Sequence, residues 1–369
     1  MNQEVEAENR TLVVITDPQV QAKSVYPVYS KANRAFFMHD CQREVFYGNC
    51  WPGKSTWVDF FNKEARDYWK SMYMPDRFSG TNQIYNFWID MNEPSVFDAE
   101  QGTFPMQNYH TNMINFFDDN YREVLHRDLH NAYGLLMSHT TYAAIEERNA
   151  RMAEEAGKEH PQRPFLLTRS HFIGSQKYGA YWTGDNQAAM HEVYDNFQMI
   201  MAGGLAGFGF VGADVPGFFG KPNIAETIAS YQLGVFNPFF RAHSHLDNPR
   251  REPWLYSTRE QTVIREAIFL RYSLIHVVYN LFCEYSASGA PIVRPVWMEF
   301  PEQEQTFNLT DRFMFGPDIY VAPKMRKDFL YDIEDPDEIL DSSYRPRRTD
   351  YNQMKVNLPG SPRELGGLR

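Results

Sequence analysis

Six short apolar runs, each closing on a polar residue at its C-terminal end, constrain this 369-residue chain more than any other feature. Leu12-Val13-Val14-Ile15 runs out at Asp17, and Ile84-Tyr85-Asn86-Phe87-Trp88-Ile89 at Asp90. Phe165-Leu166-Leu167-Thr168 ends at Arg169, and Tyr178-Gly179-Ala180-Tyr181-Trp182 near Asp185. Gly207-Phe208-Gly209-Phe210-Val211 ends at Asp214, and Pro238-Phe239-Phe240 at His243. Runs this short and charge-free predict buried strands of a helix-covered parallel sheet. Helices are expected between them at Asn62–Met74, Tyr121–Ala156, 187–202, around Glu226–Phe236, and Arg259–Tyr285. Residues 18–60 read as loop-rich, and 98–120, with Gly, Pro and Asn but no period, as an insertion over the site. The fold class is therefore α/β. A polar residue at each strand's C-terminal end is the layout of a (β/α)₈ barrel, whose sites are built from strand ends. Periodicity alone leaves a doubly wound sheet nearly as good.

The most informative strand end is Asp90-Met91-Asn92-Glu93-Pro94-Ser95-Val96-Phe97. Two carboxylates follow a buried strand directly, and Pro94 stops regular structure. A lone strand-end Asp would most simply cap the next element. Charge narrows the ligand class: 36 Lys plus Arg against 47 Asp plus Glu give a net charge of −11. That balance repels nucleic acid and anionic membrane and suits a neutral ligand. Aromatics make up 15% of the chain, a surplus that suits stacking on pyranoside faces. No apolar run approaches the ~20 residues of a membrane span. With three cysteines the chain is no disulfide scaffold; Cys41 and Cys50 could bridge within one loop or stay as two free thiols.

The eleven-residue string from Phe87 to Phe97 resembles the nucleophile motif of glycoside hydrolase family 31, the retaining α-glucosidases. The resemblance runs from about Leu12 to Pro323. It implies that the six runs are barrel strands three to eight, so that the (β/α)₈ TIM barrel is incomplete here. It places a partial catalytic barrel at 1–288 and the beginning of a C-terminal β-sandwich domain, with an irregular charged tail, at 289–369. The charged stretch 332–348 reads as a solvated or disordered loop. Strands one and two, and a β-sandwich that precedes them in the family, are expected to lie outside this sequence. A barrel open in this way would leave unpaired edges, so the chain alone is expected to be poorly soluble and inactive.

The resemblance also assigns roles. Asp90 matches the family nucleophile and Asp185, in Tyr181-Trp182-Thr183-Gly184-Asp185-Asn186, the family acid/base. Retaining hydrolysis needs one ionised and one protonated carboxyl, roughly 5–5.5 Å apart. Neighbouring negative charge and the apolar wall of Trp182 would keep Asp185 protonated. Asp17, Arg169, Asp214 and His243 match the hydrogen-bonding ring around one non-reducing glucose, and Trp51, Trp88, Met91 and Trp182 the apolar walls. No cofactor and no metal is implied. Longer strings resemble the branch that trims glucose from N-glycans: His126-Arg127-Asp128-Leu129-His130-Asn131, Gly174–Ala180, and Pro238–Asp247 continuing to Trp254. That branch implies a glucose-terminated oligosaccharide or N-glycan as substrate, a non-catalytic β subunit as partner, and the endoplasmic reticulum lumen as location. Asn49, where the branch usually has tryptophan, and Gln187-Ala188-Ala189-Met190 depart from it near the expected entrance, which puts linkage preference in doubt.

Other readings compete. A catalytically dead relative could serve as a glycan-binding or subunit-interaction module, and an α-glucan lyase or transglycosylase could use the same scaffold. The pair His126 and His130 stands at the spacing of zinc proteases, yet Arg127 occupies the position of their glutamate. The same letters echo a kinase catalytic loop, but no Gly-rich phosphate loop precedes them.

Overall fold

A computed structural model describes residues 2–114 and 121–323, side chains at 112–114 and 121–122 excepted. The expected tail at 332–348, and the part of the C-terminal domain beyond 323, lie outside the described residues. The chain divides into two compact units, Met1–Tyr181 and Trp182 onward.

In the first unit, β1 (Leu12–Ile15), β2 (Tyr85–Ile89), β3 (Leu166–Thr168) and the first two residues of β4 (Ala180–Trp182, whose last residue begins the second unit) are adjacent in that order, each pair parallel. Val14 lies opposite Phe87, Phe87 opposite Leu166, and Leu167 opposite Ala180. Every residue of β2 is buried, as a strand without charge requires. β1 differs from expectation: its burial alternates, and Val13 and Ile15 are exposed. Helix α1 (Lys63–Met72) starts at Asn62, whose side chain accepts from the Glu64 and Ala65 amides. It packs on α2 (Tyr133–Glu155) through the Trp69 indole, which donates to Thr141 Oγ1 at 3.0 Å. Arg148 of α2 is fully buried and spends its guanidinium on the Tyr73 carbonyl and Thr81 Oγ1, both at 2.7 Å. A buried cation is tolerated only with such partners.

The insertion and the start of α2 need correction. Residues 98–120 are not without regular structure. Tyr109–Ile114 pairs antiparallel with Tyr121–Leu125, with a register shift between His110 and Met113. The helix expected from Tyr121 starts at Tyr133. Strand Tyr121–Leu125 and two 3₁₀ turns, His126–Asp128 and His130–Ala132, occupy the interval. Cross-strand pairing has overridden the apparent helical period there.

In the second unit α3 (Met190–Leu205) is followed by β5 (Val211–Gly212) and β6 (Asp214–Val215). Helix α4 (Ile224–Gly234) opens with a capping box between Asn223 and Glu226. β6 pairs parallel with β7 (Arg241–Ala242), Asp214 opposite Arg241. The runs expected at 207–211 and 238–240 thus enter the ladder later than the apolar residues suggested, and polar strand-end residues are themselves paired. The single helix expected at Arg259–Tyr285 is two, α5 (Thr258–Ser273) and α6 (Ile275–Ser288), broken at Leu274. Beyond α6, Val293–Pro295, Phe313–Phe315 and Ile319–Val321 form a three-stranded antiparallel sheet. Phe313 stacks on Phe197 of α3 at 4.7 Å.

Backbone crowding at β5 gives a stability prediction. A Cβ at Gly212 would overlap the carbonyl oxygen of Phe239, a backbone atom that no rotamer change can move aside. Gly212→Ala is expected to cost about 3 kcal/mol, the upper range for overpacking. Urea unfolding within 0.5 kcal/mol of the parent (about the scatter of neutral substitutions) would contradict it.

Candidate active site

The first unit gathers Asp17, Trp88, Asp90, Met91 and Arg169 at the C-terminal ends of β1, β2 and β3. One guanidinium organises the cluster. Arg169 Nε lies 3.1 Å from Asp90 Oδ1 and 2.8 Å from Glu93 Oε1, while its Nη2 reaches Glu93 Oε2 at 3.2 Å and the Met91 sulfur at 3.0 Å. Burial pushes the Glu93 carboxyl up, but the Arg169 and Ser95 hydrogen bonds outweigh it and hold the group below its ordinary value. Met91 takes φ +56°, a conformation uncommon outside glycine, and its amide donates to Asp90 Oδ1 at 2.8 Å. Backbone held this way directly after a strand-end carboxylate is typical of functional turns.

Asn92 fastens that turn to β3. Fully buried, it donates to Thr168 Oγ1 at 2.9 Å and accepts from the Ser170 amide at 2.9 Å. Sequence reasoning gave neither Asn92 nor Glu93 a role, although both lie inside the string that carried the resemblance. His171 is another it passed over: its Nδ1 meets the Arg169 carbonyl at 3.1 Å and its ring lies 4.0 Å from that of Tyr181.

Asp17 stands apart chemically. Burial first, then the Asp90 charge, raises its carboxyl to about 7. Gln19 donates to Asp17 Oδ2 at 2.9 Å, whereas Oδ1 is buried with no hydrogen-bond partner among the described residues. Unsatisfied buried oxygens are costly, and a ligand hydroxyl would satisfy this one. The sign of the linkage gives a test. A carboxyl whose folded value is raised stabilises the fold fully below its unfolded value near 3.8, and that contribution is lost as pH rises through about 7. Asp17→Asn carries no such loss. Its melting temperature relative to the parent is expected to climb between pH 5 and pH 8, and a flat difference would contradict the raised carboxyl.

Trp88 and Met91 are buried, but Trp51, expected as an apolar wall, is 65% exposed and meets Phe97 edge-on at 4.7 Å. Beside it Asn49 is held by Asp98, through its amide and its side chain, each at 2.7 Å. Cys50 is buried and its thiol pushed up to about 11, chiefly by that burial, so it is unreactive. Cys41, Cys50 and Cys283 are all free thiols.

The second unit holds Trp182, Asp185, Asp214 and His243. Asp185 is exposed, directly before the buried Asn186. Asn186 donates to the Asp214 carbonyl and accepts from the Phe218 amide, both at 3.1 Å, tying the Asp185 turn to β6. The Asp214 side chain is fully buried, and Oδ1 accepts from Arg241 Nε at 3.0 Å and Nη2 at 2.5 Å. Arg241 also lies over the Trp182 ring at 5.0 Å. Arg241 is the residue that sequence reasoning missed here. It sits within the Pro238–Asp247 string, but only the ladder pairing with Asp214 reveals its partner. His243 stacks on Phe218 at 5.2 Å. Burial, reinforced by Arg241 and Arg251, lowers it to about 4, so it is neutral at pH 7.

Comparison with known proteins places the chain in a family. The model of the glycosyl hydrolases family 31 TIM-barrel domain matches residues 1–281, and that of the family 31 C-terminal domain matches 289–334. A probable glucan 1,3-alpha-glucosidase of Oryza sativa subsp. japonica is 38% identical over 320 residues, 86% of this chain and 33% of its own length. The solved glucosidase II alpha subunit in a DNJ-bound form aligns with TM-score 0.80 and 38% identity, over 88% of this chain and 33% of that one. A solved ER glucosidase II heterodimeric complex, of the catalytic subunit and the binding domain of the regulatory subunit, aligns with TM-score 0.78 and 38% identity, over 88% and 34%. The chain therefore spans about a third of the length of the relatives it matches.

Proposed function

The chain belongs to glycosyl hydrolase family 31, and on that footing we propose that it carries the catalytic centre of an exo-acting, retaining α-glucosidase. Asp90 is the nucleophile and Asp185 the acid/base. The observation that carries this reading is the single guanidinium shared by Asp90 and Glu93 at the end of a buried strand. A cation bonded to Asp90 favours its ionised form, the form that attacks an anomeric carbon. Asp185 is exposed, as suits a group that first protonates a leaving oxygen and then activates water. Asp17, Arg169, Asp214 and His243 bind the hydroxyls of one terminal glucose. A missing hydroxyl would leave one of these groups unpaired, which gives strong discrimination. Trp88 and Met91 in the first unit and Trp182 in the second match the family's apolar walls, and exposed Trp51 offers a further stacking face.

The substrate is terminal α-linked glucose on oligosaccharides, including N-glycans. The names of the relatives support α-1,3 linkage and, for the heterodimer, a regulatory β subunit as partner and the endoplasmic reticulum as location. Among the described residues no helix is long and apolar enough to cross a membrane. Proton NMR during hydrolysis of an aryl α-glucoside tests the mechanism. α-Glucose is expected as the first-formed anomer, and β-glucose first would overturn the double displacement.

A further inference from the structure

Asp17 is tied to a glutamine whose presence packing alone does not explain. The chain bends at Pro18, between Asp17 and the short strand Gln19–Gln21. The bend brings the Gln19 amide back onto Asp17, and its Nε2 donates to Oδ2 at 2.9 Å. Asp17 itself stands at the meeting of two strand ends. The β1–β2 register runs from Leu12 opposite Tyr85 to Ile15 opposite Trp88, and the Thr16 amide still donates to the Trp88 carbonyl at 2.8 Å. Continued by two residues, the same register sets Asp17 opposite Asp90.

Gln19 is held from outside that sheet. Its strand pairs antiparallel with Gly53–Trp57, Gln19 opposite Trp57. Gln21 fastens the far end, where its Nε2 donates to the Pro52 carbonyl at 2.7 Å. Gln19 is 6% exposed and Trp57 fully buried. An apolar side chain would pack in such a place at lower cost. Gln19 Oε1 is buried with no hydrogen-bond partner among the described residues, and a buried acceptor left unpaired is costly. What the amide supplies is one donor, and that donor goes to Asp17.

The bond decides which carboxylate oxygen is left for a ligand. Oδ2 is taken, so Oδ1, likewise buried without a hydrogen-bond partner among the described residues, is the one that a hydroxyl can engage. The other charges acting on this carboxyl come from different elements, Asp90 after β2 and Arg169 after β3. Cys50 and Tyr73 are influenced by its charge, and burial keeps both of them neutral at pH 7.

We propose that Gln19 is a positioning residue for Asp17, holding its carboxyl so that Oδ1 is presented to a hydroxyl of the terminal glucose. Gln19 touches no reacting atom and acts through Asp17. The proposal rests on the reading of Asp17 as a hydroxyl-binding group, but its first readout needs neither sugar nor turnover.

Gln19→Met tests it on the full chain, because the donor is removed at nearly unchanged side-chain length. The Asp17 carboxyl can be followed by ¹³C NMR of aspartate-labelled protein and assigned by its absence from Asp17→Asn. It is expected to titrate above the parent's value of about 7, since a hydrogen bond that favours the ionised form is gone. A substitution that merely loosened the strand would admit water and move the titration the other way, toward the ordinary 3.8. Gln19→Asn, whose amide is one methylene too short for Oδ2, gives the same sign should the methionine variant fail to fold. Glucose affinity, measured by isothermal titration calorimetry, is expected to weaken about 5-fold, the scale of one net hydrogen bond. An Asp17 titration that stays or falls overturns the proposal, and so does a rise without loss of glucose affinity. A rise in a chain whose parent binds no glucose would sustain the Gln19–Asp17 link and count against the α-glucosidase reading instead.

Discussion

Asp90→Asn is expected to abolish hydrolysis of aryl α-glucosides almost completely. The amide is near-isosteric and can keep one contact to Arg169, so the loss reports chemistry rather than collapse of the site. Without an anionic oxygen no glycosyl ester forms on the protein, and neither half of the double displacement can run. The expected fall in kcat is about 10⁴–10⁶-fold, the scale on which a hydrolase loses rate when its catalytic residues are removed. Azide should restore part of the rate by attacking the anomeric carbon in place of the carboxylate, and the product anomer should then invert. The comparison requires a preparation of this chain that turns over an aryl α-glucoside before mutation. Asp90→Asn turnover within a factor of ten (about 1.4 kcal/mol) of such a preparation would remove Asp90 from the role.

Asp185→Ala is expected to separate substrates by their leaving group. A natural disaccharide departs as a poor alkoxide and needs a proton in the transition state, so general-acid catalysis worth about 10²–10⁴-fold is lost. An aryl glucoside with a strongly electron-withdrawing ring leaves without that proton and should retain most of its glycosylation rate. Equal losses on both substrates would make Asp185 structural, an N-terminal neighbour of the turn that Asn186 ties to β6. Its exposure argues against misfolding as the cause of any such loss, since exposed substitutions rarely cost more than about 0.5 kcal/mol.

Much of the first unit could be read from composition and order alone. β2 is charge-free and buried at every position, and Asp90 emerges from it where a strand-end carboxylate belongs. What escaped reading was cross-strand partnership. Arg241 looks like any loop arginine until β6 and β7 pair and put it opposite Asp214. His126 and His130, at helical spacing in the sequence, sit on successive 3₁₀ turns, because the hairpin that precedes them extends to Leu125. Their partner His110 lies 16 positions before His126, a separation that no local pattern reports. Trp51 matches an apolar wall of the family, and its 65% exposure, with Phe97 edge-on against it, was not legible because burial depends on what covers a ring.

The proposed mechanism requires a covalent bond between Asp90 and glucose, and a mechanism-based label reads that bond directly. A 5-fluoro-α-glucosyl fluoride slows release of the intermediate more than its formation, so the sugar stays attached long enough for peptide mass spectrometry. One fluoroglucosyl adduct is expected on the peptide containing Asp90, absent from Asp90→Asn. An adduct on Glu93 or any other carboxylate, or steady turnover with no adduct, would contradict it.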